Sequence, residues 1–305
     1  MLLLLSVVLA LSWQGESTAP RTFTDFVADV ENIDRLSAKG LASRLGLMLS
    51  GPPGTGKSLL AGHVAARLSR PFYVVRLDSV ISSLLGDTAK NIRTVFDYAP
   101  AKDAVLFLDE MDAIAKLRGD TQELGELKRV VNSFIQNLDS LGPQSIILAA
   151  TNHEELLDSA VWRRFGYRVQ LGFPAPDLRR QMWLAFLNPL TFSDRDVDLL
   201  VDLSEGFSGS DIHEVCRRLH RRNLTTQRTA ELKDAFPILQ NIGIGEGEDR
   251  RFIAAFKGQD ADTIAKALRA RNVKLYSHAA LAHLLGISKA TAYRRTLKEE
   301  KANGR

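Results

Sequence analysis

Eight residues, Gly51-Pro52-Pro53-Gly54-Thr55-Gly56-Lys57-Ser58, constrain this chain more than any other stretch. They follow an apolar run, Leu45-Gly46-Leu47-Met48-Leu49, of the kind a buried strand needs. They precede Leu59 to Leu68, where apolar residues recur at helical spacing. A strand that ends in a glycine-rich loop and restarts as a helix builds a cradle for phosphate. Gly51, Gly54 and Gly56 let the backbone curl so that successive N–H groups face anion oxygens, with Pro52, Pro53 and Thr55 completing the loop. The helix that starts near Gly56, with Leu59 in its first turn, adds the positive end of its dipole. Lys57 supplies a mobile cation for β- and γ-phosphates, and Ser58 a hydroxyl for magnesium.

The rest of the first half alternates strand and helix patterns. Phe72 to Leu77 reads as a strand, Asn91 to Tyr98 as part of a helix, and Ala104 to Leu108 as a buried parallel strand. Leu127 to Leu138 is an amphipathic helix, Ser145 to Ala150 another buried strand and Arg168 to Phe173 a fifth. Such alternation predicts a parallel sheet covered on both faces. Ahead of it, Phe23, Phe26, Val27, Val30, Ile33 and Leu36 form a helical stripe. After Pro174 and Pro176, residues 177 to 224 read as helices only. A polar, glycine-rich break around Gly243, Gly245 and Gly247 marks a boundary. The expected segments are therefore 1–21, 22–175, 176–242 and 243–305.

Composition narrows the class. Of 305 residues, 45% are hydrophobic and 25% charged, as in a soluble globular protein, and the net charge of +4 permits nucleic-acid contact without demanding it. One cysteine, Cys216, excludes an internal disulfide and a cysteine metal cluster; the pattern Ile212, Val215, Cys216, Leu219 makes it a small core residue. Residues 1–11 are apolar but shorter than the ~20 needed to span a bilayer. They lack the basic n-region of a secretory signal. We read them as a segment that packs on the body, or as a misassigned start, with a signal peptide as the alternative. The expected location is the cytoplasm, where ATP is, with no stable membrane association.

Val105 to Leu108 ends in Asp109-Glu110. An acid at the end of a strand beside the phosphate loop can hold magnesium, directly or through water, and the next carboxylate can polarise an attacking water. Around these residues the chain resembles an AAA+ ATPase of the classical AAA group, and is most similar to bacterial stand-alone, katanin-like and sporulation-type members. Gly51 to Ser58 matches Walker A, and Asp109-Glu110 matches Walker B. Ile147-Leu148-Ala149-Ala150-Thr151-Asn152 resembles the strand ending in the sensor-1 asparagine, so Asn152 would help position the water. Leu157 to Phe165 resembles the stretch ending in arginine fingers, which implies that Arg163 and Arg164 reach the γ-phosphate held by a neighbouring subunit. Gly206 to Ile212 resembles the lid helix whose small pair, Gly209-Ser210, abuts the nucleotide; a plain N-cap with Asp211 in the first turn is compatible with it. The resemblance runs from about residue 22 to 224. It implies a P-loop NTPase sheet of strand order 5-1-4-3-2 followed by an all-α lid and a small C-terminal helical module. It also implies ATP and Mg2+ as cofactors and a homo-oligomer, a hexamer, that acts on a macromolecule.

Two departures stand out. Leu84-Leu85 occupies the place where the family usually has an aromatic residue for gripping polypeptide, which puts threading of a protein substrate in doubt. The family's adenine-contacting turn is hard to place before residue 51, Phe26-Val27 being the candidate. At the other end, residues 277–296 resemble a helix-turn-helix, with Gly286 in the turn, Ser288 as cap and Leu281, Leu285, Ile287 and Ala292 as its core. Its second helix would offer Lys289, Thr291, Tyr293, Arg294 and Arg295 to DNA. A helical packing module with a solvated basic face is the alternative. Two functions follow: a ring-forming ATP-hydrolysing motor or switch, or a DNA-bound adaptor in which ATP binding sets assembly and turnover is minor.

Overall fold

A computed structural model describes residues 18–41, 45–82, 88–114, 126–142, 144–242 and 252–297. The N-terminal segment 1–11, the Leu84-Leu85 pair and the break at 243–249 lie outside the described residues. The chain divides into two compact units, one ending at Gly172 and the other beginning at Phe173.

The first unit holds a five-stranded parallel sheet: β1 (Leu45–Ser50), β2 (Phe72–Arg76), β3 (Val105–Asp109), β4 (Ile146–Thr151) and β5 (Tyr167–Gln170). The order is β2-β3-β4-β1-β5, the expected 5-1-4-3-2 counted from the other edge. β1 and β4 are buried along their whole length, as their unbroken apolar runs require, whereas β2 and β5 are half-exposed edges. Helices α1 (Thr18–Glu31), α2 (Ile33–Ala38) and α3 (Lys57–Arg67) lie with one face, where Phe26, Val30, Leu60 and Val64 meet Leu47, Leu49, Phe107 and Leu148. On the other face are α4 (Leu77–Ser82), α5 (Thr88–Ala101) and α6 (Glu126–Ser140); there Phe96, Phe134 and Leu138 pack with Met48, Leu106 and Leu108. Alternate residues of one strand thus serve opposite cores.

Three local expectations shift. Leu77 begins α4 rather than ending β2. β5 ends at Gln170; Leu171 still donates its N–H to Ser50 O at 2.8 Å, and Phe173 is partly exposed. Phe26 and Val27, the adenine-contact candidates, are 0% and 2% exposed on a helix, with Phe26 edge-on to Tyr167 at 5.2 Å. They are core residues that tie α1 to β5, not a turn.

The second unit is helical: α8 (Pro176–Leu187), α9 (Asp194–Leu203), α10 (Gly209–Thr226), α11 (Leu232–Ile242), α12 (Ala261–Arg271), α13 (His278–Leu285) and α14 (Lys289–Leu297), numbered after the short α7 (Ser159–Trp162) of the first unit. Its core gathers Trp183, Leu200, Phe207, Val215 and Leu219. Cys216 is 1% exposed, and burial pushes its thiol far above the usual range, as suits an inert packing residue. No helix among the described residues is long and apolar enough to cross a membrane.

Candidate active site

The loop leaves β1 and enters α3. Gly51 has φ 134°, and a Cβ there would lie 2.0 Å from Leu171 O, so only glycine fits where β5 and the loop meet. Gly54 and Gly56 also take positive φ, 76° and 101°. Gly56 caps α3 without a side-chain bond, which leaves the first amides of the helix directed at the loop. Thr55 Oγ1 donates to Pro52 O at 2.8 Å and stiffens the curl. Pro53 is exposed at the tip, and Leu59 is half-buried in the first turn of α3.

Lys57 is only 7% exposed; its Nζ donates to Gly51 O at 2.6 Å and Pro52 O at 2.9 Å. Burial lowers its pKa, opposed by Asp109 and Asp112. The loop carbonyls thus hold an ammonium that has given up most of its water. Ser58 Oγ donates to Asp109 Oδ2 at 3.1 Å, joining the start of α3 to the end of β3. Two hard oxygen donors this close suit Mg2+, which takes one or two protein oxygens and completes its shell with phosphate and water. Asp109 Oδ1 accepts the N–H of Glu110 at 3.0 Å.

Glu110 has φ 59°, a left-handed conformation uncommon for a side-chain-bearing residue and of the kind that gathers at functional sites. Its Oε1 is 3.7 Å from Arg76 Nη2, which also pairs with Asp78 at 3.3 Å. Arg76 ends β2 directly opposite Asp109. Burial raises the Glu110 pKa, a hydrogen bond and the charge of Asp78 raise it further, and Arg76 works against both.

Asp112 was not singled out in the sequence. It is 5% exposed; its Oδ1 accepts from Thr151 Oγ1 at 3.3 Å and lies 3.5 Å from the Asn152 N–H. It ties the segment after β3 to the end of β4 and so fixes where Asn152 stands. Its one sequence signal is an acid two residues after Glu110 between Met111 and Ala113.

The two finger candidates part company. Arg164 forms a two-pronged pair with Asp139 near the end of α6, Nε to Oδ1 at 2.9 Å and Nη2 to Oδ2 at 2.6 Å, and also reaches Ala160 O. Arg163 is exposed, makes no ion pair among the described residues, and stands on the wall of an open cleft of about 540 Å³ with Trp162, Arg168, Glu154 and Gln170. The segment that carries both arginines lies on β1: a Cβ at Gly46 would be 2.9 Å from Arg164 O. In the second unit, Gly209 and Ser210 open α10 under a reciprocal cap in which Ser208 Oγ accepts from Asp211 N at 3.2 Å and Asp211 Oδ2 accepts from Ser208 N at 2.8 Å.

A phosphate loop on β1, an acid pair on β3 and a polar end to β4 in one parallel sheet define a P-loop nucleoside-triphosphate-binding unit. Residues 47–173 match the family described as ATPase family associated with various cellular activities (AAA). An uncharacterized AAA family ATPase of Sinorhizobium fredii, y4kL, is 38% identical over 210 residues, 68% of this chain and 63% of that protein. Vacuolar protein sorting-associated protein 4 of Dictyostelium discoideum is 38% identical over 173 residues, 55% of this chain and 39% of that one. The solved FIGL-1 AAA domain in complex with ADP shares the fold, with a TM-score of 0.65 at 24% identity over 81% of this chain and 87% of that one. The chain spans less than two thirds of the length of these two relatives. The first unit carries a domain of the AAA family of ATPases.

Proposed function

We propose that the chain hydrolyses ATP as a ring-shaped homo-oligomer and uses the cycle to remodel a macromolecular partner in the cytoplasm. The observation that carries this reading is the Ser58–Asp109 pair at 3.1 Å with Glu110 beside it, at the foot of a loop closed by Lys57. In this reading Gly51 to Leu59 hold the phosphates, Lys57 neutralises their charge, and Ser58 with Asp109 holds Mg2+, which supplies further neutralisation when bound. Glu110 takes a proton from the attacking water, Asn152 positions that water, and Gly209-Ser210 of the lid contact the nucleotide. The arginines divide the work: Arg163 reaches a neighbour's γ-phosphate, and Arg164, anchored to Asp139, holds Arg163 in place.

A shared site makes a direct test. Arg163→Ala and Glu110→Gln proteins should each be nearly inactive alone, since a finger is worth about 10³–10⁵ in turnover. Mixed, they should regain part of the wild-type rate, because a Glu110-bearing subunit can receive Arg163 from its neighbour. Asp139→Asn should reproduce Arg164→Ala, lowering turnover and thermal midpoint together. A mixture no more active than its parts, with a monomeric ATP-bound wild type, overturns the ring.

The Glu110 environment sets the pH dependence. The base must be ionised, and burial with Asp78 raises its pKa, so the acid limb of kcat/KM should lie above the ordinary carboxylate range. Asp78→Asn should move that limb to lower pH, and Arg76→Ala, which removes the opposing cation, to higher pH. Rate profiles from about pH 4.5 to 8 read both shifts; limbs that coincide in all three proteins exclude Glu110 as the titrating base.

A further inference from the structure

We propose that the C-terminal helices are a docking surface for double-stranded DNA, with α14 as the helix that enters the major groove. This goes beyond ATP turnover and does not depend on it.

Charge is the first observation. Residues 260–297 hold seven basic side chains and two acidic ones, a net +5 that exceeds the +4 of all 305 residues. Both acids are already engaged. Asp260 caps α12 by accepting from the N–H groups of Asp262 and Thr263 at 2.8 and 3.0 Å, and Asp262 pairs with Arg295 at 2.8 Å.

Backbone geometry is the second. α13 stops at Gly286, φ 66°, where Ile287 N still donates to Ala282 O at 3.0 Å. Only Gly286, Ile287 and Ser288 separate α13 from α14, and Ser288 Oγ caps α14 by accepting from Thr291 N at 3.1 Å. A three-residue, glycine-containing turn between two packed helices is the helix-turn-helix connection. Leu281, Leu284 and Ala292, none more than 1% exposed, form the seam, with Ala265 and Leu268 of α12 buried as well; Leu285 and Ile287, expected in it, are only half-buried, and Leu284 takes their place.

The third observation is how α14 divides its side chains. Arg295 is spent on Asp262, Thr291 on Ser288, and Thr296 on His278 at 2.9 Å. Arg295 and Thr291, counted as DNA contacts in the sequence, therefore build the helix and its seat. Lys289, Ala290, Tyr293 and Arg294 remain exposed, at the i, i+1, i+4, i+5 spacing of a single stripe. The Tyr293 ring is 50% exposed yet steadied edge-on by His278 at 5.0 Å.

These properties fit a duplex. A helix with side chains is about 10–12 Å across and the major groove about 12 Å wide. Lys289 and Arg294 can meet phosphates or guanine edges, small Ala290 permits close approach, and Tyr293 offers a hydroxyl and an apolar ring. A protein partner would call for a desolvated apolar centre, and the stripe has only one large apolar ring. The module is also held firmly from another side: Tyr276 Oη donates to Asp202 at 2.5 Å, Arg271 to Asp202 at 2.9 Å, and His283 lies 3.2 Å from Asp196, all on α9. A fixed seat of this kind orients α14 without a flexible tether.

The test uses the full-length protein and a fluorescein-labelled 30-base-pair duplex of mixed sequence at about 50 mM salt, read by anisotropy without nucleotide. Wild type should bind in the micromolar range and weaken with salt, log K falling with a slope of about −2 to −3 for two or three neutralised phosphates. Lys289→Glu with Arg294→Glu, both on exposed positions, should weaken binding at least about tenfold while the thermal midpoint stays put. Tyr293→Ala should weaken it severalfold. Lys102→Ala, a cation of the first unit, should bind as wild type. A duplex that wild type does not shift, or that the double charge reversal shifts equally, overturns the proposal and makes α13–α14 a packing or protein-docking element.

Discussion

Lys57→Ala protein should lose ATP binding by about 10²–10⁴-fold, read by fluorescent-nucleotide titration or calorimetry. The ammonium sits within 3 Å of two loop carbonyls and is almost wholly buried. A hydrogen bond to a charged group is worth about 1.5–3 kcal/mol, and a phosphate chain would draw at least two from this cation. The substitution also leaves Gly51 O and Pro52 O without that donor, so the loop itself should loosen. Because Lys57 bears a desolvation cost that its removal relieves, the thermal midpoint without nucleotide should change little while the stabilisation on adding ATP disappears. Retention of ATP binding within threefold of wild type would falsify the role of this lysine.

Glu110→Gln should do the opposite: keep binding and stop turnover. The amide has nearly the shape of the carboxylate, so the left-handed backbone at φ 59° and the bond from the Glu110 N–H to Asp109 are both preserved. What goes is the proton acceptor, and a positioned general base contributes about 10²–10⁴-fold. The variant should therefore hold ATP through size-exclusion runs and report its oligomeric state with nucleotide trapped in place. Hydrolysis at the wild-type rate would remove Glu110 from the reaction.

How much of this was written along the chain depends on distance in sequence. The loop and the strands are local, in short apolar runs, a glycine rhythm and Asp109-Glu110 at a strand end, whereas the order of the strands followed from the family resemblance. Leu171-Gly172-Phe173 extends the apolar pattern of β5 beyond the sheet, which the strand leaves after Gln170. The partners that distinguish one polar residue from its neighbour were not legible. Arg163 and Arg164 are identical side by side, and Asp139, 25 residues away, separates an anchor from a cation with no ion pair among the described residues. Asp112 gains its place from Thr151, 39 residues on. Likewise nothing in Arg294-Arg295 says which of the two faces Asp262. Helical phase fixes a direction, but the acid waiting in that direction comes from another element.

Gly46 has a mechanical consequence. The bare backbone there lets the peptide of Arg164 and the ring of Phe165 sit directly against the strand that runs five residues later into Gly51. In the proposed ring, the loop that holds nucleotide and the segment that offers Arg163 to a neighbour would thus both rest on β1. In such a ring, any tilt of β1 as the loop closes on nucleotide would carry Arg163 with it, and occupancy of one subunit would reach the next as leverage rather than through a chain of side-chain rearrangements.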